Sequence, residues 1–161
     1  MMEIPAIVLL YAVLLAGAVA SLFYVFSVYD GAVYTINSYA CSEAAYLIQV
    51  ALQQAVEQPG NYTGTIDLYY PVKIVGGELT VGLDTRNPAT CRLEVPKYVE
   101  VLASTGTVIT IEKVVHASEF VDCTGQLNGP KLGIEDGKYI IVTQCEPGVK
   151  IENPQIVVYA S

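Results

Sequence analysis

The sequence predicts an α+β protein: a long, hydrophobic amino-terminal α-helix followed by an antiparallel β-sheet or sandwich head. Three observations predict it. From Ile4 to Tyr29 the chain runs 26 residues without a charge. Beyond that run, apolar residues keep recurring at three- and four-residue spacing until Pro59-Gly60. After Pro59 the hydrophobic period drops from that of a helix to two, with turn pairs between the segments. The chain therefore divides into a hydrophobic helix at 1–58 and a β-rich head at 59–161.

Composition requires a second apolar medium. Hydrophobic residues make up 53% of the 161 residues and charged ones only 15%. Soluble domains carry roughly 45–50% and 25% respectively. A small domain leaves much of its surface in water, so lipid or neighbouring subunits must take up the excess. That excess is local, because residues 1–57 hold only Glu3, Asp30, Glu43 and Glu57, and the first basic residue is Lys73. A net charge of −8 with no basic patch excludes a nucleic-acid partner.

The uncharged run would span roughly 39 Å as a helix, enough for a hydrocarbon core of about 30 Å. Pro5 suits the first turn, where its missing N–H breaks no bond. Phe23, Tyr24, Phe26 and Tyr29 crowd the far end, as aromatic belts do at a membrane boundary. A cleavable secretory signal would have a shorter apolar region and a basic flank. The absent flank is read as a basic leader already removed, so that this numbering is that of a mature chain. Ala12, Ala16 and Ala20, with Gly17 and Ser21 beside them, form a smooth strip that suits close helix packing.

Past the boundary, Val33, Ile36, Ala40, Ala44, Leu47 and Ala51 lie within about 60° of one helical face. They are read as the core-facing stripe, opposite Ser38, Ser42, Gln49 and Gln53. Asp30-Gly31 is a candidate kink or brief break. If continuous, the element is roughly 80 Å long.

In the head, Thr65 to Tyr70 and Glu78 to Leu83 read as strands joined by a Gly76-Gly77 hairpin turn. Further strands are expected at 91–95, 98–102, 107–115, 139–143 and 155–159, with Asp136-Gly137 as a tight turn. Segments so spaced make a sheet or small sandwich.

Cys41, Cys91, Cys123 and Cys145 show no metal-ligand spacing, and the single His116 completes no zinc pattern. An even count beyond a membrane segment fits two disulfides in an oxidising compartment. Three pairings are open; the preferred one joins Cys41 to Cys145 and Cys91 to Cys123, tying helix to head. Asn61-Tyr62-Thr63 is a glycosylation acceptor pattern in a loop-like stretch. No nucleophile elbow, phosphate loop, dinucleotide fingerprint or HExxH is present. His116, at a strand end, reads as a surface residue, and Glu135-Asp136-Gly137 as a solvated turn rather than a calcium site. Twelve tyrosines and no tryptophan suggest core and contact surfaces. No catalytic residue, metal or cofactor is expected, and the chain is read as a non-enzyme.

A lipid-compatible helix, continued by an amphipathic helix and capped by a β-rich head, resembles the type IV pilins, and the archaeal members including archaellins share this lollipop plan. The segment Thr63-Gly64-Thr65-Ile66-Asp67-Leu68-Tyr69-Tyr70 resembles the first strand of archaeal pilin-like heads. Bacterial pilins carry glutamate at the fifth mature position; this chain has Pro5 there and Glu3 nearby, which fits the archaeal members. The resemblance implies a subunit held in the cytoplasmic membrane, freed of a leader by a peptidase and drawn by an assembly ATPase into an extracellular filament for adhesion or motility. It also implies that copies pack through Ile4, Val8, Ala12, Leu15, Ala16, Ala20, Phe23, Val33, Ile36, Ala40, Ala44, Leu47 and Ala51. The competing reading is a single-pass surface protein whose head binds a ligand or partner without polymerising.

Overall fold

The computed structural model describes the backbone of residues 3–121, 131–135, 138–146 and 148–161, and the side chains of 7–116 and 152–161. Among the described residues there is one helix, α1 (Glu3–Glu57), of 55 residues. It crosses Asp30-Gly31 unbroken, and Thr35 Oγ1 donates back to the Gly31 carbonyl at 2.9 Å. Among the described residues eight strands follow: β1 (Tyr62–Val75), β2 (Glu78–Val81), β3 (Ala89–Arg92), β4 (Val99–Val101), β5 (Ser104–Val121), β6 (Lys131–Glu135), β7 (Lys138–Glu146) and β8 (Gly148–Ala160).

All eight join one sheet in the order β3-β2-β1-β5-β8-β7-β6, with β4 paired to β8. The head is thus the single sheet, not the sandwich. It is antiparallel except for the short parallel pairing of β4 on β8. The β1–β2 hairpin turns at Gly76-Gly77, both at positive φ (58° and 84°), the backbone that a two-residue turn of the right twist demands. Asp136-Gly137 lies outside the described residues, although Glu135 and Lys138 on either side of it are paired.

Helix α1 lies against one face of this sheet. The core joins Cys41, Ala44, Ile48, Leu52 and Ala55 of the helix to Val72 and Ile74 of β1, Leu79 and Val81 of β2, Ile109 and Ile111 of β5, and Ile156 and Val158 of β8. The head's core therefore draws on residues on both sides of position 58.

The expected stripe is corrected by this packing. Ala44 is buried and Val33, Ala40 and Ala51 are half-buried, but Ile36 is 66% exposed and Leu47 borders on exposed. The face that meets the sheet is Asn37, Cys41, Ala44, Ile48, Leu52 and Ala55, rotated by roughly 70° from the expected one at 100° per residue. The reason is that this helix is apolar on two sides, and periodicity averages them into one face lying between.

The disulfide is also corrected. Cys41 bridges Cys91, with Cα atoms 6.0 Å apart. The helix is tied to the head as expected, but neither the expected Cys41–Cys145 nor Cys91–Cys123 pair is compatible with this bond. The cause is topological: β3 flanks the helix at one end of the sheet, whereas Cys145 belongs to β7, beyond β8. Cys123 and the Cys145 side chain lie outside the described residues.

Candidate assembly surface

Two stretches of α1 meet opposite fates. From Ile7 to Tyr29 every residue is exposed, including Leu15 at 70% and Phe23 at 72%. Of the residues expected to pack between copies, Val8, Ala12, Leu15, Ala16, Ala20 and Phe23 all stand in this free stretch. The Ile4 side chain lies outside the described residues. The helix is long and apolar enough to cross a membrane by length and composition.

From Asn37 onward the helix is fastened to the head at four levels. The buried Asn37 amide donates to Thr85 Oγ1 (3.0 Å) and to the Asn87 carbonyl (2.9 Å), holding the β2–β3 loop. Gly82 carries φ 79° directly beneath that amide, where a Cβ would collide with the Asn37 side chain. Next come the Cys41–Cys91 bridge and the Tyr70 hydroxyl donating to the Ala40 carbonyl at 2.8 Å. Burial, then the nearby Glu43 charge, pushes the Tyr70 hydroxyl above its ordinary pKa. The fourth fastener is a buried ion pair. Lys113 Nζ stands 2.8 Å from Glu152 Oε2, both side chains wholly buried, and donates to the Gln58 carbonyl at 2.6 Å. Glu152 Oε1 accepts from the Gly60 N–H at 2.5 Å. The last turn of α1 has no basic residue of its own. Lys113, reaching over from β5, supplies the cation that helix carboxyl ends favour.

Away from the sheet, α1 keeps a second, largely apolar line. Val25, Tyr29, Ala32, Ile36, Tyr39, Glu43, Tyr46 and Val50 alternate three- and four-residue steps, the spacing of a coiled-coil seam. Tyr39 is 76% and Tyr46 64% exposed, so the line stays free along the head. Of the expected packing residues, Ile36 falls on this line and Leu47 beside it. Ala44 is sealed within its own head and is not available to a second copy. Tyr39 and Tyr46 were missed because they read as general stickiness; the heptad spacing was the signal that singles them out.

The remaining expected sites are dispersed. His116 sits at the register shift of β5 against β8, its Nε2 3.1 Å from Gln155 Oε1, on the exposed surface. Among the described residues no group of three or more His, Cys, Asp or Glu is placed to hold a metal. A shallow groove of about 240 Å³ lies between the end of α1 and the segment after β3, lined by Leu52, Val56, Pro96 and Tyr98. Asn61 is exposed at the start of β1. No protein-family model, no curated protein and no solved structure matches this chain.

Proposed function

We propose that this chain is the structural subunit of an extracellular filament of the type IV pilin kind, held in the membrane by α1 before assembly and polymerising through it. The observation that carries the reading is the exposed apolar helix that continues past its head. Ile7 to Tyr29 are all exposed, and beyond them the Ile36–Tyr39–Tyr46 line stays open although the same turns are bolted to the sheet. A lone anchored receptor needs only the first of these surfaces. The second suits neighbouring helices, which shelter each other's apolar sides. Assembly by a leader peptidase and an ATPase, archaeal origin, and service in adhesion or motility belong to this proposal.

The test is electron microscopy of material sheared from the cell surface, with amino-terminal sequencing. Filaments built from subunits that retain α1 are expected. The discriminating variant is Ile36→Arg, which places a charge on the free line and leaves the core untouched. It should keep the Cys41–Cys91 bridge yet abolish filaments. A wild-type chain that stays single in detergent, with filaments never recovered, supports the anchored surface protein instead.

A further inference from the structure

We propose that neighbouring copies lie parallel and staggered by two heptads, the Glu43 carboxylate of one copy accepting a hydrogen bond from the Tyr29 hydroxyl of the next. This rests on the filament reading and goes further, because it fixes which turns of α1 meet. The free line carries the inference. Its members fall into two alternating sets: Tyr29, Ile36, Glu43 and Val50 in one, Val25, Ala32, Tyr39 and Tyr46 in the other. Glu43 is the single charge among them. It is exposed, and among the described residues it makes no hydrogen bond and no ion pair. The Tyr70 hydroxyl, which the Glu43 charge helps to raise, already donates to the Ala40 carbonyl. No basic residue precedes Lys73, so α1 offers a neighbour's Glu43 no cation. A carboxylate closed into such a seam costs free energy unless it is paired, and a lone polar residue there sets the register of the helices.

Copies held in one membrane present their helices in the same direction. In a parallel pair each set faces its own kind, and only whole-heptad offsets keep the seam closed. With no offset, Glu43 meets Glu43 and each tyrosine meets its twin. One heptad puts Glu43 opposite Ile36 and Tyr46 opposite Tyr39. Hydroxyls beside the seam rescue neither arrangement, because Ser42 and Thr35 already donate to the Ser38 and Gly31 carbonyls. Two heptads put Glu43 opposite Tyr29 and Tyr46 opposite Ala32, both pairs 14 positions apart. The same shift sets Val50 on Ile36 and Tyr39 on Val25. Larger offsets leave Glu43 facing Leu22, Leu15 or Val8, none of them a donor. Hydrogen bonding and side-chain volume therefore choose the same stagger.

Tyr29 is free to serve. It is 65% exposed, and its hydroxyl makes no hydrogen bond among the described residues. A phenol bonded to a carboxylate is a charge-assisted pair, stronger than a neutral one. Asp30, Asp84 and Arg86 line a notch with Tyr29 beside the β2–β3 loop. Arg86 offsets one of those two carboxylates, which leaves the phenol as the donor on the line itself. Two heptads of helix rise roughly 21 Å. Helices joined along a 3.5-residue repeat wind about each other with a left-handed twist.

Helical reconstruction of filaments sheared from cells measures the stagger directly. Facing α1 helices should be offset by roughly 21 Å along their axes, with Glu43 within hydrogen-bond distance of the next copy's Tyr29 hydroxyl. Filaments with another offset, or with Glu43 turned to solvent, overturn the register and leave the filament reading standing. Material that never forms filaments overturns both. Detergent-driven release of subunits, followed by sedimentation, tests the bond. Tyr29→Phe strands a closed-in carboxylate and should speed release on the order of tenfold, or prevent assembly. Tyr29→Phe/Glu43→Leu removes both polar groups and should restore filaments that release at the wild-type rate or slower. Both residues are exposed in the single chain, so each variant should keep its Cys41–Cys91 bridge, as non-reducing mass mapping would show. A Tyr29→Phe filament as durable as wild type, or a double variant no better than the single, overturns the pairing.

Discussion

At the scale of single residues, the buried Lys113–Glu152 pair decides how the end of α1 sits on the sheet. Both ions are wholly buried, and two of their remaining bonds go to main-chain atoms just past the helix, at Gln58 and Gly60. Removing one partner leaves an uncompensated charge, which costs about 3–5 kcal/mol, whereas replacing both by apolar residues is often neutral. Lys113→Met should therefore lower denaturant stability by about that amount, and the Lys113→Met/Glu152→Leu double variant should recover most of it. Equal losses in single and double variants would mean that the main-chain bonds matter more than the charges. The tyrosines set a second expectation. Burial raises the Tyr98 hydroxyl; burial and then Glu43 raise Tyr70; and a hydrogen bond to Glu112, then burial, raises Tyr159 against an opposing bond to Thr110. A raised folded pKa means the native state holds its proton more tightly. The associated stability is complete below the unfolded value near 10 and is lost as pH rises through the folded values. Tm should fall above about pH 10. In Tyr70→Phe it should start lower at neutral pH, because the bond to Ala40 is gone, and fall less steeply; an equally steep alkaline limb would remove Tyr70 from the explanation.

At the scale of elements, the disulfide ties α1 to β3 across a separation of 50 residues. Closing a loop of that length in the unfolded chain is worth about 4 kcal/mol on the chain-entropy account. Cys41→Ala/Cys91→Ala should lose about that much stability and leave the helix content unchanged, as far-ultraviolet circular dichroism would record. How far the elements were legible follows from where local pattern decides. The helix, its stop at Pro59-Gly60 and the Gly76-Gly77 turn were readable because proline, glycine and a long apolar period act locally. Strand β1 was read as 65–70 but runs to Val75, since Pro71 hides the continuation: it breaks the alternation, and the ladder to β5 shifts register between Asp67 and Val72. Strand β6 was missed because Lys-Leu-Gly-Ile-Glu has glycine at its centre and charges at its ends; pairing with β7 makes it a strand. The sheet-facing side of α1 and the partner of Cys41 were not readable, because both depend on which strands the helix crosses. The same holds for the Lys113–Glu152 pair, whose members are 39 positions apart in sequence and meet only through β5 and β8.

At the scale of the whole molecule, α1 is one continuous helix with two different surroundings, and the packing separates them cleanly. Among the described residues none before Asn37 is buried, whereas Cys41 to Ala55 are central to the core. The first fastener that a cut must spare is the Asp30 carbonyl, which accepts from Asn87 Nδ2 at 3.3 Å. A chain beginning at Tyr29 therefore keeps every core contact and every fastener among the described residues, and the described side chains it loses, from Ile7 to Val28, are all exposed. Shielding such surface from water is worth tens of kcal/mol per subunit at about 25 cal/mol per Å², taken as an upper bound. No bond within the head approaches that sum. The shortened chain should consequently be monomeric in detergent-free buffer, with a Tm within a few degrees of the detergent-held full chain and its Cys41–Cys91 bridge intact. Sedimentation, calorimetry and non-reducing mass mapping read these three properties. A shortened chain that still polymerises would move assembly into the head, and a full chain that disperses in plain buffer would leave the exposed rod without a purpose.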